Sequence, residues 1–463
     1  MDVSDCPGCR ERDARIAVLE ARILALEGQM RDLLDQRKPP PAPRDPSPQP
    51  PAPAKKPSHR KPGGQPGHPP HLKVRVPAER LNKVIPFIPE RCEKCRAPLP
   101  PTAGPEDPAP SWHQVAELPP LAARIIEYQG HYRTCPCCGE VNHAPIPADL
   151  RAHSVGPRLT AALSYLAGSQ GVSMRGNEEI MAEMFDAPVA LGTVANLEQE
   201  VSTALAPSHQ EAVAAIVAAP VKHLDETGWK QAGKKRWLWV AATATVVAFA
   251  IHSRRNLAAL RRLVGEAMLG ILCSDRWCVY DQWPVLRRQL CWAHLKRNWE
   301  KQAERGGQAA RICGLCLDVQ RRVFELWHLF RGGGCTRAEL DERIFPLLLE
   351  LREVLLAGRR SRDRILARFC RRILEVYSAL WTFVSTEGVE PTNNHAERVQ
   401  RRAVLWRRRS FGCHSANGCR FVERILTVVQ TLRLQKRPVL EFLHETVRAH
   451  RAGLPTPRLV VEG

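Results

Sequence analysis

The sequence lacks a run of apolar residues long enough to cross a membrane. Its longest apolar run, residues 237–251, is interrupted by Thr243 and Thr245, whereas a membrane-spanning helix needs about 20 apolar residues. The β-branched residues of this run favour buried strands instead. A secretory signal is also lacking, because the N-terminus is acidic and polar. We therefore expect a soluble, cytosolic protein.

Acidic residues are scarce relative to basic ones. The 463 residues include 48 Asp and Glu against 68 Lys and Arg, for a net charge of +20. This length favours several domains. The excess of positive charge is typical of nucleic-acid-binding proteins, because neutralised phosphates release counterions. A basic protein with solvated cations is the alternative. Residues 398–409, with six arginines and no acid, favour DNA.

Disulfides are not expected in a reducing compartment, so the 16 cysteines need another explanation. Two Cys-x-x-Cys pairs, Cys92 with Cys95 and Cys135 with Cys138, are separated by 39 residues. Two such pairs are typical of a structural zinc ion bound by four thiolates. Cys137 competes with its neighbours for one of the four places. The sequence therefore predicts one structural Zn²⁺ in a zinc-binding domain over residues 76–148, in which residues 124–128 have the pattern of a strand.

Residues 1–37 have the heptad pattern of a coiled coil. Isoleucine at the first two a positions and leucine at d favour a parallel dimer. The alternative is one amphipathic helix packed on the body of the protein, because three heptads are marginal alone. The proline tract that follows argues against such docking. The pattern is formed by Ile16, Leu19, Ile23, Leu26, Met30 and Leu33.

Residues 38–75 form a proline-rich basic linker. Between residues 38 and 70 there are 14 prolines and a single acid, Asp45, a composition typical of an extended, semi-rigid spacer. Arg60 and Lys61 precede glycines that would let the backbone approach a phosphate closely. We expect these two cations to contact DNA, although a flexible tether has the same composition.

Residues 149–215 have a helical pattern. The segments 177–185 and 192–198, joined by a turn, have the proportions of a helix-turn-helix, whose second helix can enter a major groove. The second segment has few arginines or lysines with which to contact bases. A plain helical bundle therefore fits nearly as well as a helix-turn-helix-like DNA-binding domain.

Residues 216–415 alternate between strand and helix patterns. Strands are predicted at residues 221–227, 235–243, 246–251 and 270–275, with a helix at 256–266 before the last strand. Asp225 lies on the first strand and Asp275 ends the fourth. This order is typical of a ribonuclease H-like α/β fold, in which the first and fourth strands are neighbours. We therefore expect the two carboxylates to meet at one edge of the sheet.

A third carboxylate, Glu397, lies near the start of a helix predicted from residue 393. Three carboxylates suit Mg²⁺, or Mn²⁺, because these ions prefer hard oxygen ligands. Two ions about 4 Å apart would activate an attacking hydroxyl and stabilise the leaving oxygen. We predict Asp225 as the bridging ligand and Asp275 and Glu397 as ligands of one ion each. Glu226 should point to the opposite face of its strand, and Asp281 lies past the strand end.

The helix that carries Glu397 is also the main candidate for contacts with DNA. Phosphate contacts come chiefly from arginine and lysine. The candidate cations on this helix are Arg398, Arg401, Arg402, Arg407, Arg408 and Arg409.

Two further segments are predicted to be helical. Residues 298–390, which separate Asp275 from Glu397, are rich in leucine and arginine and predict an all-helical insertion in the catalytic fold. Residues 416–463 predict a C-terminal helical region that packs on the core.

Together these motifs resemble the transposases of the insertion sequence 66 family over essentially the whole chain. The resemblance implies a DDE catalytic domain, cleavage at transposon ends and strand transfer by the freed 3′ hydroxyl. It further implies a bacterial, nucleoid-associated homo-oligomer and accessory proteins of the same element. The matching segments are residues 60–68, the paired Cys-x-x-Cys motifs, residues 223–229, Ser274-Asp275, Cys291-Trp-Ala-His294 and residues 393–398.

Cys291 and His294 are similar to a Cys-x-x-His signature that follows the second acid in several DDE families. The resemblance implies that this pair supports the active site by packing and hydrogen bonding, with metal binding as the alternative. Arg276 departs from the family, which usually has glycine after the aspartate. A bulky cation there would either contact phosphate or hinder the site.

Three functions fit these motifs to different degrees. The three acids favour an Mg²⁺-dependent transposase that acts as a multimer on terminal inverted repeats. A non-catalytic or domesticated zinc-containing DNA-binding protein is the alternative from another class. A nuclease would cleave the ends without joining them.

Overall fold

The computed structural model describes residues 74–461. Within this range, residues 74–116 belong to one compact unit and residues 117–461 to a second. The predicted coiled coil and the linker up to residue 73, with Arg60 and Lys61, lie outside the described residues. Each unit is considered by itself below.

The first unit contains little regular secondary structure over its described residues. One 3₁₀ turn covers Ala78–Arg80. The first Cys-x-x-Cys segment forms a tight turn in which the Cys92 N–H donates to the Ala97 carbonyl at 2.9 Å and the Arg96 N–H donates to the Cys92 carbonyl at 2.9 Å. Arg96 adopts a left-handed backbone with φ of 64°. The turn is therefore closed by backbone hydrogen bonds around Cys92.

The second unit begins with a similar turn on a short hairpin. Strands β1 (Tyr132–Thr134) and β2 (Val141–His143) pair antiparallel. Between them the Cys135 N–H donates to Glu140 at 2.7 Å and the Gly139 N–H donates back to Cys135 at 2.9 Å. Gly139 has φ of 73°, which glycine adopts without a steric penalty.

The strand predicted at residues 124–128 is wrong. The backbone there belongs to no strand. The nearby Ala123 N–H donates to the Phe185 carbonyl, at the end of a helix, at 2.8 Å. A β-strand requires a neighbouring strand that supplies hydrogen-bond partners, and here the neighbour is the end of a helix.

Five helices follow the hairpin and confirm the predicted helical segment. Ser173 caps the third helix by accepting from the Gly176 N–H at 3.0 Å, and a π-helical turn at Leu166–Gln170 directly follows the second helix. The third and fourth helices are the two helices of the predicted helix-turn-helix. The five are α1 (Ala148–Arg151), α2 (Pro157–Tyr165), α3 (Met174–Phe185), α4 (Leu191–Ala204) and α5 (Ala206–Ala218).

A five-stranded mixed sheet forms the centre of the second unit. The strand order is β5-β4-β3-β6-β7, and β3 pairs antiparallel with β4 and parallel with β6. Helix α6 (Leu257–Val264) precedes β6. The expectation that the first and fourth predicted strands are neighbours is confirmed. The strands are β3 (Val221–Gln231), β4 (Lys234–Ala242), β5 (Val247–His252), β6 (Ile271–Ser274) and β7 (Arg288–Leu290).

The fifth strand, β7, is absent from the sequence-based prediction because its buried residues include charged and polar side chains. Arg288, which is 1% exposed, pairs with Asp281 at 2.8 Å. The Gln289 amide donates to the Leu380 carbonyl at 3.2 Å and accepts from the Phe383 N–H at 2.8 Å. A polar side chain can be buried when it has such partners, but no hydrophobic pattern then marks the strand.

The predicted helical insertion is confirmed as a series of helices with their own core. Trp292, Trp299 and Trp327 pack there among leucines and buried cysteines. Thr336 and Glu339 form a capping box at the start of the third helix of this series. The helices are α7 (Trp292–Ala303), α8 (Gly307–Arg331), α9 (Arg337–Arg359), α10 (Arg364–Leu374) and α11 (Thr382–Ser385).

Three C-terminal helices return the chain to the sheet: α12 (Asn394–Ser410), α13 (Ala416–Leu434) and α14 (Val439–Arg451). Helix α13 lies along the edge strand β5 and satisfies its free backbone donors. An edge strand otherwise presents unpaired N–H groups to solvent. The Val247, Phe249 and Ile251 N–H groups donate to Thr431 at 3.0 Å, Thr427 at 3.0 Å and Glu423 at 2.5 Å, respectively.

The long apolar run of the sequence forms β4, β5 and the turn between them, as predicted. Among residues 74–461, no helix combines the length and the apolar character that a membrane span requires.

Candidate active site

Strand pairing brings Asp225 and Asp275 to the same level of the sheet. In the parallel register of β3 and β6, Val221 pairs with Ile271 and His223 with Cys273. Continuing this register by two residues places Asp275, directly after β6, beside Asp225 in the middle of β3. Neighbouring strands lie about 4.8 Å apart. The two aspartates are therefore neighbours because of the sheet topology.

Asn393 attaches the start of helix α12 to strand β3. Its side-chain Nδ2 donates to the Leu224 carbonyl at 2.6 Å, and its Oδ1 accepts from His223 Nδ1 at 3.1 Å. Asn393 is 1% exposed and His223 is 7% exposed. Burial lowers the pKa of His223 to about 4, so the imidazole is neutral. Leu224, immediately before Asp225, is thus bound to Asn393, which immediately precedes the helix that carries Glu397.

Cys291 connects the segments of the second and third carboxylates. Its backbone N–H donates to the Ser274 carbonyl at 2.9 Å, one residue before Asp275. Its Sγ accepts from the Asn393 N–H at 3.1 Å. Burial raises the pKa of this thiol, which is therefore neutral. Cys291 and Asn393 together link all three carboxylate-bearing segments.

Small side chains let helix α12 lie close against the sheet. Ala396, Val399 and Ala403 are buried on one helix face, against Trp229, Leu238, Val240 and Phe249. On the same side, Gln400 reaches Asp225. With its amide nitrogen turned toward the carboxylate, Gln400 donates to Asp225 Oδ2 at 3.0 Å and accepts from the Thr227 N–H at 3.3 Å.

Glu397 lies in the first turn of α12, where the positive end of the helix dipole stabilises negative charge. Its Oε1 lies 3.4 Å from Arg297 Nη2 and 3.4 Å from His294 Nδ1. The charges of Asp275 and Glu397 both raise the pKa of His294, although burial and the charge of Arg297 lower it overall. Helix α7 therefore reaches the carboxylates through His294 and Arg297.

The electrostatic cost of placing three carboxylates near one another falls chiefly on Asp225. Burial raises the pKa of Asp225 to about 8, and the charges of Glu226, Asp275 and Glu397 raise it as well. The Glu226 backbone N–H, which donates to Asp225 Oδ1 at 3.0 Å, opposes this shift. Asp275 and Glu397 are thus close enough to act on Asp225 electrostatically. The site favours either a proton or a cation on Asp225.

Glu226 and Asp281 are excluded from this group, as predicted. The Glu226 side chain is 2% exposed and is bound by Arg255 and by the hydroxyl of Tyr280, on the opposite side of the sheet from Gln400. Asp281 lies past the end of β6 and pairs with Arg288 at 2.8 Å. Each carboxylate has its own cationic partner and is not available for a metal ion.

The donor set fits divalent metal ions. Three carboxylates supply the oxygen ligands that Mg²⁺ prefers, and a cation would compensate the charge that raises the pKa of Asp225. Cys291, His294 and Glu397 present ligand atoms that all lie within 4.8 Å of one another, whereas Asp225, Asp275 and Glu397 do not form so tight a cluster. Because the Cys291 thiol already accepts from Asn393, its contacts in the structure are those of a supporting residue.

The six arginines of α12 divide into two groups. Arg402 donates to the Ser169 carbonyl at 2.7 Å, Arg407 to the Thr227 hydroxyl at 2.9 Å and Arg409 to the Gln170 carbonyl at 3.0 Å. These three cations hold the helix on the protein. The other three are exposed, as Arg402 and Arg409 are, but form no hydrogen bond to the protein and no ion pair among residues 74–461: Arg398, Arg401 and Arg408.

The exposed arginines share the helix face of Glu397. Arg401 follows Glu397 by four residues and Arg408 follows it by eleven, so both lie above it on a helix with 3.6 residues per turn. Arg398 is adjacent to this face. A row of cations thus begins at the carboxylates and runs along the surface of α12.

Each Cys-x-x-Cys turn aims backbone donors at its first cysteine. Backbone N–H groups of Cys95 and Lys94 lower the pKa of Cys92, and those of Cys138 and Cys137 lower the pKa of Cys135. Donors of this kind stabilise a thiolate, which is the form that binds zinc.

Sequence reasoning missed the roles of Asn393, Gln400 and His223. Asn393 and His223 were part of the motifs that carried the family resemblance, yet neither was assigned a function. Gln400 had one available signal, because it lies three residues after Glu397 and so on a neighbouring helix face. Which face would meet Asp225 depended on how the helix packs.

Comparison with known proteins gives a family and two relatives. The sequence model described as "Transposase IS66 family" matches residues 153–420. The uncharacterized protein y4qI of Sinorhizobium fredii is 28% identical over 254 residues, which are 49% of this chain and 46% of the relative. The uncharacterized protein y4hP of the same organism is 24% identical over 377 residues, 73% of this chain and 67% of the relative. The chain thus spans about half of the first relative's length.

Replacing Asn393 by alanine should separate the carboxylates. The change removes both side-chain bonds to β3 and leaves the buried Leu224 carbonyl unsatisfied, which costs about 1–3 kcal/mol. We expect a lower melting temperature and weaker stabilisation by Mg²⁺, both measured by thermal unfolding. The matched control is the exposed neighbour Asn394, whose replacement by alanine should change neither. Equal effects of the two variants would show that Asn393 does not position the site.

Replacing Asp225 by asparagine should stabilise the protein in magnesium-free buffer. The folded-state pKa of Asp225 is raised from 3.8 to about 8, so the carboxyl costs stability as pH rises through this range. The variant should exceed the wild type by a few degrees in Tm at pH 8 and above, with the difference shrinking toward pH 4. Mg²⁺ should raise the Tm of the wild type only. A pH-independent difference would contradict this assignment.

Proposed function

This chain belongs to the IS66 family of transposases, and from that premise we propose that it is a DDE-type DNA transposase. It would bind the terminal inverted repeats of a mobile element, cleave DNA at the ends and join them to a target. The observation that supports this most is the convergence of Asp225, Asp275 and Glu397, which are separated along the chain by the sheet connections and the helical insertion.

The fold that we propose for the catalytic domain is ribonuclease H-like. A central strand paired antiparallel on one side and parallel on the other, with acids on the two parallel neighbours, supports this assignment. The third acid arrives on α12, after the helical insertion. The mixed α/β fold itself is observed and does not depend on this proposal.

The proposed chemistry has two steps. The first breaks one phosphodiester bond by hydrolysis, and the second exchanges one phosphodiester bond for another. In the first, a water oxygen attacks phosphorus at the element end and the bond to the 3′ oxygen breaks, which frees a 3′ hydroxyl. In the second, that hydroxyl attacks a phosphodiester of the target, and the new bond replaces the broken one. No cofactor that carries energy is needed, because strand joining exchanges one phosphodiester for another.

The chain's own carboxylates would hold the ions that this chemistry uses, and the transposase family generally employs divalent metal. Two divalent ions would activate the attacking oxygen and stabilise the leaving oxygen. Asp225, which lies on the central strand β3 and is bonded by Gln400, is the candidate shared ligand. Asp275 and Glu397 would complete the site from either side.

DNA would lie along the face of α12. Arg398, Arg401 and Arg408 extend from Glu397 and have no acidic partner in the described part of the chain, so they are available to phosphates. The sequence predicts DNA contacts also for Arg402, Arg407 and Arg409. We propose instead that these three arginines hold the helix in place. Helices α3 and α4 remain a proposed second DNA-contacting element.

The four thiolates Cys92, Cys95, Cys135 and Cys138 are proposed to share one structural Zn²⁺. The backbone donors in each turn, which lower the pKa of the first cysteine, support each turn as a metal ligand pair. We also retain as proposals the coiled-coil dimer of residues 1–37 and the accessory proteins of the same element.

Neutral replacement of each acid should abolish the reaction. Asp225→Asn, Asp275→Asn and Glu397→Gln should each lower cleavage by about 100-fold or more, because each removes a metal ligand that stabilises the transition state. The measurement is cleavage and joining of a labelled duplex made from the DNA that flanks the gene, in the presence of Mg²⁺.

The matched control is Glu387→Gln, which neutralises an exposed acid in the loop before α12. This variant should cleave like the wild type. Binding of the labelled end without cleavage by the wild type would favour a non-catalytic DNA-binding protein. Cleavage without a joined product would favour a nuclease.

Zinc content should follow the four proposed ligands and exclude Cys137. The full-length protein should contain about one zinc per chain by elemental analysis, and Cys95→Ser or Cys138→Ser should lose most of it. Cys137→Ser, a change between two proposed ligands, should keep the zinc. Retention of zinc by Cys138→Ser with loss by Cys137→Ser would assign the fourth place to Cys137 instead.

A further inference from the structure

Arg276 is a partly buried cation without an acidic partner, directly beside a proposed metal ligand. Among residues 74–461 no carboxylate lies within ion-pair distance of its guanidinium, and its Nε is buried without a hydrogen-bond partner. Asp281, the nearest acid after Asp275 along the chain, is occupied by Arg288. A buried charge without a partner is costly, so this guanidinium is suited to an anion supplied from outside the protein.

The helical insertion holds this guanidinium in place. The Arg276 Cζ lies 5.2 Å from the centre of the Phe369 ring on helix α10. Stacking on an aromatic face leaves the N–H edge of a guanidinium available, and that edge matches the geometry of a phosphate. Phe369 therefore orients Arg276 without using its donors.

Helix α10 also supplies a second cation, Arg372. Arg372 lies three residues after Phe369, on the same helix face, and its charge acts on Arg276. Leu366, Cys370 and Ile373 are buried on the other side of α10 and fix this orientation. Arg276 thus lies within electrostatic range of both Asp275 and Arg372.

We propose that Arg276 and Arg372 bind one backbone phosphate of the DNA strand, next to the phosphate that is cleaved. This inference rests on the proposed function and extends it, because it assigns the helical insertion a direct part in holding the substrate. It also selects one of the two alternatives for Arg276, a contact with phosphate rather than obstruction of the site. The side chain packs on Phe369.

The neighbouring residue Arg371 provides a matched control. It lies on the same helix and carries the same charge, but it points to a different helix face and pairs with Glu375 at 3.6 Å. Arg371→Ala therefore removes one positive charge from α10 without changing the proposed site.

The test is equilibrium binding of the full-length protein to a labelled duplex of the element end over a range of salt concentrations. Arg276→Gln and Arg372→Ala should each weaken binding and reduce the slope of log K against log salt by up to about 0.9, the value for one phosphate contact. The double variant should lose little more than the stronger single variant, because both cations bind the same phosphate. Arg371→Ala should keep the wild-type slope.

Cleavage of the same duplex in Mg²⁺ distinguishes a phosphate contact by Arg276 from obstruction of the site by Arg276. Arg276→Gln and Arg276→Gly should both cleave more slowly at subsaturating DNA, by about tenfold if one charged contact is lost. Melting temperatures would show that the variants are folded, and Arg372→Ala, at an exposed position, tests the site without disturbing packing. Faster cleavage by Arg276→Gly would overturn the proposal and show that Arg276 obstructs the site.

The outcomes distinguish this proposal from the proposed function. If the wild type binds and cleaves the element end, and the Arg276 and Arg372 variants match Arg371→Ala, the phosphate site is wrong and the transposase assignment stands. If the wild type neither binds nor cleaves, the proposed function is wrong and the phosphate site falls with it.

Discussion

The buried side chain of Asn393 is the contact on which the rest of the site depends. Its amide bonds both the Leu224 carbonyl and the His223 ring, and its backbone N–H bonds Cys291. These bonds determine where α12 begins relative to β3, and so where Glu397 lies relative to Asp225. An amide can do this because it donates and accepts at once, which neither a carboxylate nor an alkyl side chain does.

The packing that brings the carboxylates together also creates an electrostatic cost. Burial and three neighbouring acids raise the pKa of Asp225 to about 8, so the metal-free protein is least stable where the carboxylate is ionised. Burial raises the pKa of Glu226 as well, and Arg255 opposes that shift. A divalent cation at the three acids would remove the repulsion. Metal binding at the three acids would therefore be coupled to folding stability.

Basic residues near the site serve two purposes that composition does not distinguish. Some arginines of α12 bind backbone carbonyls within the protein, and others form an exposed row from Glu397. Arg276 packs on Phe369 of the insertion, and the charge of Arg372 acts on it. Under our proposal, the helical insertion would contribute to holding DNA, in addition to separating Asp275 from Glu397 along the chain.

The sequence by itself determined the helices of the second unit, the strands of the central sheet with regular apolar patterns, and the neighbouring positions of β3 and β6. These features follow from local periodicity and from topology rules that hold for most sheets. Only the tertiary structure decided that β7 is a strand, that Gln400 faces Asp225, and which arginines bond to the protein. The physical reason is that a buried polar group is stabilised by partners far away in the chain, such as Asp281 for Arg288 and Ser169 for Arg402. A local pattern contains no information about those partners.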